Sequence, residues 1–552
     1  MLYQSTRGNI KPQSAAQVIM SGMVPRGGLF VPQGFPRADW RAWLELSYAE
    51  LAEKIFALYM TDYRPEVLRE AAELYEDGRF GSANPTPLHP LSTSGPDHQD
   101  ASPPTVPNSL LSEARELTSL SNCPLSILEL WHGPTAAFKD VALQMLPRFL
   151  TAALAMSGRQ ERALILTATS GDTGKAALEG FKDVPGTEIV AFYPEEGVSP
   201  VQELQMLTTG GSNTHVAAVR GNFDTCQNAV KAAFLSEELR EEAAKRGMFF
   251  SSANSINWGR LLPQIVYYVW AYVQAVRSGC VRAGEEINVV VPTGNFGNIL
   301  AAVYARRMGL PLHKLICASN RNNVLSEFFG SGVYASRRPF YVTMSPSMDI
   351  LVSSNFERYL FEVSGQDGER VAAWFAELAR TGRFEAGADV AARCGEEIWA
   401  GWCGEQDTLA CIREVFARHR YVLDPHSAVG YKVYGDYRRA APEDDRYTVL
   451  VATASPFKFG RSVLAALDPE LENDQMGGRF GHDPGIRPDG YSLSAPGGEP
   501  DGERAALERL QKISDWDIPA GLRDIFAEAK VPKFVCAAEE MPAFIRSVMN
   551  KA

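Results

Sequence analysis

The sequence predicts an α/β protein built on a parallel sheet with crossover helices, preceded by a mainly helical N-terminal part. Three observations carry this. Short β-branched runs recur at 163–169, 188–193, 214–219, 287–291, 314–318 and 447–452. Amphipathic helical segments follow most of them, the alternation that builds parallel sheets. Small-residue turns stand where strand passes into helix, the place where ligands bind in such sheets.

Taken in order, residues 1–80 read as helical, with apolar residues at helical spacing over 40–60 and 65–75. The stretch 81–108 is rich in Pro, Ser and Asp, so it buries little apolar surface and reads as an exposed connection; 473–502, with repeated Gly and Pro, has the same character. The expected organisation is an N-terminal mainly helical domain over 1–110 ending in the Pro/Ser-rich linker, an αβ region over 111–230 and a second αβ region over 231–552.

At 552 residues and 45% hydrophobic content, the chain has material for a large core in two or three domains. A net charge of -12 gives no basic patch for nucleic acid or an anionic membrane, so any anion must be held by local geometry. The eight cysteines form no C-x-x-C pair and no zinc-type spacing, and read as reduced, mostly buried thiols with no metal. The start MLYQSTRGNIKPQ lacks a secretory pattern, and the most apolar long stretch, 261–276, contains Pro263 and is short for a bilayer. The expectation is a cytoplasmic protein, monomer or homodimer, with a small-molecule substrate, no nucleic acid and no membrane.

Three junctions carry chemistry. In ELWHGPTAAFKDVALQ a strand runs through His132 into a helix opening near Phe138, which sets Lys139 in the first turn. A cation is unfavourable at the positive end of a helix. Two readings are open: a solvated lysine preceding Asp140, or a lysine held in a site as an imine, which removes its charge. At the second junction, TATSGDTG, small residues allow close backbone approach to an anionic ligand, with Ser170 and Thr173 offering hydroxyls; the alternative is an ordinary capped strand-to-helix turn. At the third, PTGNFGN, two glycines flanking Asn295 can form a nest of N–H donors of phosphate size. It lacks the GK[ST] ending of a P-loop and does not fit G-x-G-x-x-G, which argues against a nucleotide.

A lysine, a hydroxyl-rich turn and a phosphate-sized nest on strand ends together describe a pyridoxal-phosphate site better than any one alone. The segments HGPTAAFKD, TATSGDTG, SSANSINWGR, PTGNFGN and VATASPFKF, in this order and with YQSTRG at the start, resemble the threonine synthases of the fold-type II pyridoxal-phosphate enzymes, from about Tyr3 to Phe459. The resemblance implies a large parallel-sheet domain, a smaller αβ domain and an N-terminal helical domain. It implies pyridoxal 5'-phosphate as cofactor, with Lys139 as the Schiff-base lysine and Gly294, Asn295, Phe296, Gly297 and Asn298 cradling its phosphate. It further implies Thr453 as a neutral partner of the pyridine nitrogen. Many relatives read SGN where this chain has Ser170-Gly171-Asp172. An ionised aspartate cannot donate to the cofactor's phenolic oxygen as an asparagine does, so Asp172 is given no role at this stage.

The same resemblance implies the substrate O-phospho-L-homoserine, turned over with water to L-threonine and phosphate. Asn254, Ser255 and Arg260 are the implied ligands of its phosphate, with Ser170, Thr173 and Lys175 as further contributors; Arg260 offers a bidentate fork. NSINWGR also reads as the cap of the helix that follows, and both readings can hold. His132 and His426 read as orienting residues, and Ser5, Thr6 and Arg7 as a strand that closes over the site or lies solvated. Two other outcomes fit most of these residues: a related phospholyase releasing 2-oxobutanoate and ammonia, and a catalytically idle interaction protein that kept the fold.

Overall fold

Strands form where the β-branched runs stand, and they sort into two parallel sheets. In the computed structural model, which describes residues 1–25, 27–91, 125–195, 197–468 and 500–551, the first sheet has the order Ile398–Trp402, Leu312–Ser319, Ile287–Pro292, Thr448–Ala452, Leu125–Glu129 and Leu88–Pro90. All neighbours are parallel except the last pair. The second sheet is parallel throughout, in the order Val535–Cys536, Thr214–Val219, Thr187–Pro194, Arg162–Ala168 and Met248–Ser252. It draws strands from both 111–230 and 231–552. This is an α/β fold with a larger and a smaller sheet. Residues 92–108 and 473–499 of the two expected connections lie outside the described residues.

The N-terminal part is helical, but its main helix starts later than the apolar spacing suggested. Residues 40–46 form turns, and the helix Tyr48–Tyr59 opens at Ser47, whose hydroxyl accepts from the Glu50 amide while Glu50 reaches back to the Ser47 amide. That capping box satisfies two orphan donors and fixes the start. The second helix runs Pro65–Glu73, with proline in the first turn where its missing N–H costs nothing.

The helix Trp258–Arg277 links these parts. It is apolar on nearly every face and buried along most of its length, as a helix packed on all sides must be. It packs against Tyr48–Tyr59, against the short helix Asp140–Leu143 and against Gly297–Arg307. The lysine segment and the glycine nest are thereby built on one shared support. Among the described residues no helix is long and apolar enough to cross a membrane.

After strand Thr448–Ala452 the chain makes a short helix, Pro456–Phe459, then Gly460–Leu467. The helix Pro500–Ser514 packs on Gly460–Leu467, and the chain then passes to the second sheet, where Val535–Cys536 forms an edge strand and helix Met541–Lys551 follows. On the way Gln205 Nε2 donates to the Gly521 carbonyl at 3.2 Å.

Candidate active site

Three adjacent strands of the first sheet deliver the three elements expected there. Lys139 follows Leu125–Glu129, Thr453 follows Thr448–Ala452, and the nest Gly294–Asn298 follows Ile287–Pro292. Two adjacent strands of the second sheet deliver the rest: Ser170-Gly171-Asp172 follows Arg162–Ala168, and Asn254 to Arg260 follows Met248–Ser252. The site lies where the carboxyl ends of the two sheets meet, since side chains from both touch there.

Lys139 stands one residue before the helix Asp140–Leu143, close to the expected start. The Phe138 amide donates to the Thr453 carbonyl at 2.8 Å, which brings Thr453 beside the lysine segment. The loop before Lys139 is tied down by Asp140, whose carboxylate accepts the Thr135 amide at 2.8 Å and the Thr135 hydroxyl at 2.7 Å. Burial raises the Asp140 pKa to about 6 against those donors.

The Lys139 ammonium is buried and donates to Asp172 Oδ2 at 3.1 Å and to Ser347 Oγ at 3.3 Å. Burial lowers its pKa, opposed by Asp172 and assisted by Lys458 and Arg260. Asp172, left without a role by sequence reasoning, proves to be the most heavily bonded side chain of the site. Besides Lys139 it accepts Ser347 Oγ at 2.9 Å, Gln202 Nε2 at 2.9 Å and Lys458 Nζ at 2.8 Å. Burial works against its ionisation, but Lys139 and Lys458 outweigh it and hold its pKa well below the usual carboxylate range. Gly171 makes this possible: its φ of 125° suits glycine, and an added Cβ would stand 2.4 Å from Gln202 Oε1.

The residues expected to form the nest stand at the start of helix Gly297–Arg307, which has no side-chain cap. Gly294 has no room for a side chain, since a Cβ there would stand 2.7 Å from the Ser347 carbonyl oxygen. Ser347 thus touches both the lysine and the nest. The Asn295 side chain accepts Ser354 Oγ at 2.8 Å, and its carbonyl accepts the Asn355 amide at 3.0 Å. Phe296 offers the site only its backbone; its ring packs against Phe329, Phe356 and Tyr359, and its φ of 63° turns the chain into the helix. Asn298 Oδ1 accepts the Tyr267 and Tyr268 hydroxyls, which leaves its buried Nδ2 without a protein partner.

Arg260 lies in the first turn of helix Trp258–Arg277, which Asn257 caps by accepting the Gly259 amide at 2.9 Å. The guanidinium is 2% exposed, one Nη donates to the Ala253 carbonyl, and its buried Nε has no protein partner. Burial pulls its pKa down to about 10. A buried cation at the positive end of a helix is costly unless an anion joins it.

The remaining expected residues divide. Ser255 Oγ accepts from Asn355 Nδ2 at 3.0 Å beside the nest. The Asn254 side chain is engaged with the backbone of Ala168, donating at 2.7 Å and accepting at 3.1 Å, so it fixes the strand end that bears the SGDTG turn. Ser170 and Thr173 are half-buried on that turn. Lys175 is paired with Glu179 at 2.9 Å and Thr209 at 3.1 Å. Thr6 and Arg7 are bound to Glu357, the latter through two bonds of 2.8 Å. His132 is bonded to Glu129 at 2.7 Å and stacked on Trp131. His426 Nδ1 contacts Asp424 at 2.8 Å, and its Nε2 accepts the Ser347 amide at 3.3 Å.

Sequence reasoning missed Ser347, Gln202 and Lys458. Ser347 sits in a one-turn 3-10 helix, Pro346–Met348, with no strand end or glycine turn to mark it, whereas Lys458 is a lysine soon after a strand end, the same signal that Lys139 gives.

Comparison with known proteins agrees with this geometry. The family described as "Threonine synthase N terminus" matches residues 2–74, and "Pyridoxal-phosphate dependent enzyme" matches 104–453. Threonine synthase of Pseudomonas aeruginosa is 36% identical over 469 residues, covering 84% of this chain and 90% of its own. Threonine synthase-like 1 of Homo sapiens is 34% identical over 511 residues, 90% of this chain; the match spans only 62% of that longer protein. The crystal structure of pyridoxal-phosphate-bound threonine synthase from Brucella melitensis superposes with a TM-score of 0.77 at 33% identity, covering 100% of this chain and 99% of that one. The residues present fit such a cofactor: a buried lysine, an uncapped helix start with an orphaned Asn298 amide for a phosphate, and a Gly294 whose Cβ has no room.

Proposed function

Because the chain belongs to the threonine synthase family of pyridoxal-phosphate-dependent enzymes, we propose that it converts O-phospho-L-homoserine and water into L-threonine and phosphate. When bound, pyridoxal phosphate supplies the electron sink that lets protons leave the carbons near the substrate's amine. Lys139 attaches the cofactor and, once the substrate's amine has replaced it, moves the proton at Cα. Gly294, Asn295, Phe296 and Gly297 hold the cofactor's phosphate with backbone N–H groups, joined by the free Nδ2 of Asn298. Thr453 meets the pyridine nitrogen with a neutral hydroxyl. Arg260, helped by Ser255, Ser170 and Thr173, holds the substrate's own phosphate while it departs and water adds at Cβ. Asn254, expected as a further ligand, acts instead by fixing the strand end through Ala168.

One observation carries this reading: the site has two separate sets of buried donors with no protein partner, Asn298 Nδ2 at the uncapped helix start and Nε of the buried Arg260. The first suits the cofactor's phosphate, and the second suits an anionic group of the substrate, which this reading assigns to the substrate's phosphate. The test is an absorbance spectrum with and without phosphohomoserine, together with assays for phosphate and threonine. Stoichiometric release of both supports the proposal. One other outcome shares nearly all of these residues, a phospholyase, which would yield 2-oxobutanoate and ammonia in place of threonine. The buried Lys139 and the glycine-flanked helix start weigh against an idle protein.

A further inference from the structure

Lys458 is a second buried lysine beside the one that takes the cofactor, and the chemistry above leaves it without a task. It is 1% exposed, at the short helix Pro456–Phe459, and its ammonium donates to the Thr135 carbonyl at 3.0 Å and pairs with Asp172 Oδ1 at 2.8 Å. Taking an ammonium out of water costs several kcal/mol even after relaxation, so an apolar side chain of similar length fills such a position at lower cost. The partner explains the choice. Asp172 receives Gln202 and Lys458 on Oδ1, and Lys139 and Ser347 on Oδ2. Of these donors, Lys139 alone has to leave: its nitrogen bonds to the cofactor, is displaced by the substrate's amine and later returns, with its charge changing each time. A fully buried carboxylate whose only cation came and went would take up a proton whenever that cation left, because burial favours the neutral acid.

We propose that Lys458 is a positioning residue, a permanent counter-cation that keeps Asp172 ionised while Lys139 changes partners, so that the Lys139 nitrogen always returns to an acceptor. The proposal rests on Lys139 as the attachment point of the cofactor and on no particular substrate. The surrounding charges leave no substitute. His426, from helix Pro425–Ala440, also faces Asp172, but its Nδ1 is engaged with Asp424 and its Nε2 accepts the Ser347 amide. Arg260 faces Lys139, and Asp140 faces Lys458. Among the described residues, Lys458 is therefore the cation left in contact with Asp172 once Lys139 is engaged.

The test is a pH titration, from about 5.5 to 9, of the visible absorbance of the cofactor-loaded protein, with Lys458→Met and Lys458→Arg beside the parent. Lys458→Met should gain a transition that the parent lacks, with its midpoint above the ordinary carboxylate range. Its turnover should fall on the acid side with the same midpoint and recover at high pH. Lys458→Arg, which keeps the charge, should lack that transition. A Lys458→Met protein with the parent's titration, or with activity lowered equally at every pH, overturns the proposal. If Lys458→Met does not fold, it is compared in an Asp172→Asn background: a restored or smaller loss of thermal stability supports the pairing, and an equal loss overturns it. The absorbance titration uses no substrate, so it is decided separately from the identity of the reaction product.

Discussion

Asn355 Nδ2 donates to Ser255 Oγ at 3.0 Å and to the Asn295 carbonyl at 3.1 Å, and so clamps the substrate-side segment to the glycine nest. Its Oδ1 accepts from the fully buried Arg358, which fixes the amide's orientation. Asn355→Ala should loosen both anion-binding features together. The expected result is weaker cofactor retention on dialysis and a raised KM for phosphohomoserine in the same variant; a change in one without the other would show that the clamp does not couple them.

Lys139→Ala should abolish turnover with the fold kept. The change removes the attachment point and the base while leaving Asp172 its bonds to Lys458, Gln202 and Ser347. Circular dichroism and a phosphate-release assay check both halves, and release at the parent's rate would refute the assignment.

Gly294→Val should lose pyridoxal phosphate. A Cβ at this position stands 2.7 Å from the Ser347 carbonyl and 3.1 Å from Met348 Cα, so backbone must move at the point proposed to hold the cofactor's phosphate. Full occupancy after dialysis would place the phosphate elsewhere.

Arg260→Leu should keep its cofactor and lose most of its kcat/KM, by about 2 to 4 kcal/mol in transition-state stabilisation, as when one oxyanion donor is removed. Lysine should rescue it in part, because an ammonium lacks the planar fork. Loss of cofactor, measured by absorbance, would mean that the two anion sites are exchanged.

Asp140 makes stability depend on pH. Its pKa is raised by burial from 3.8 in an unfolded chain to about 6, so between those values the folded form binds more protons. Stability from this group is present below about pH 4 and is lost as pH rises to about 6, by up to about 3 kcal/mol at 1.36 kcal/mol per pKa unit. Asp140→Asn should remove that slope from a series of thermal unfolding curves.

The junction logic made most of the site legible. Strands 214–219 and 287–291 were readable from β-branched composition, and Lys139, the nest and Thr453 from the turns that follow such runs. What escaped was whatever lacked local pattern. The division into two sheets depends on which strands pair, and Met248–Ser252 joins Arg162–Ala168 across some eighty intervening residues that leave no trace in either segment. Ser347 enters on the one-turn helix Pro346–Met348, held by Asp349, which accepts the Thr343 amide and the Asn320 and Asn322 side chains. Asp172 was visible as a residue, but its four donors come from four different parts of the chain.

The edge strand Val535–Cys536 places a long delay on assembly. Val535 pairs with Ala218, so one border of the second sheet stays uncovered until a strand some three hundred residues further along the chain arrives. Until then Thr214–Val219 presents unpaired backbone groups to any neighbouring chain. Closing a loop of that length costs entropy before any contact rewards it, which makes this pairing a late and slow event of folding. The chain is thus most vulnerable to intermolecular strand pairing after the segments of the candidate site have already been made, and a change that breaks the Val535–Ala218 pairing would make that vulnerability permanent.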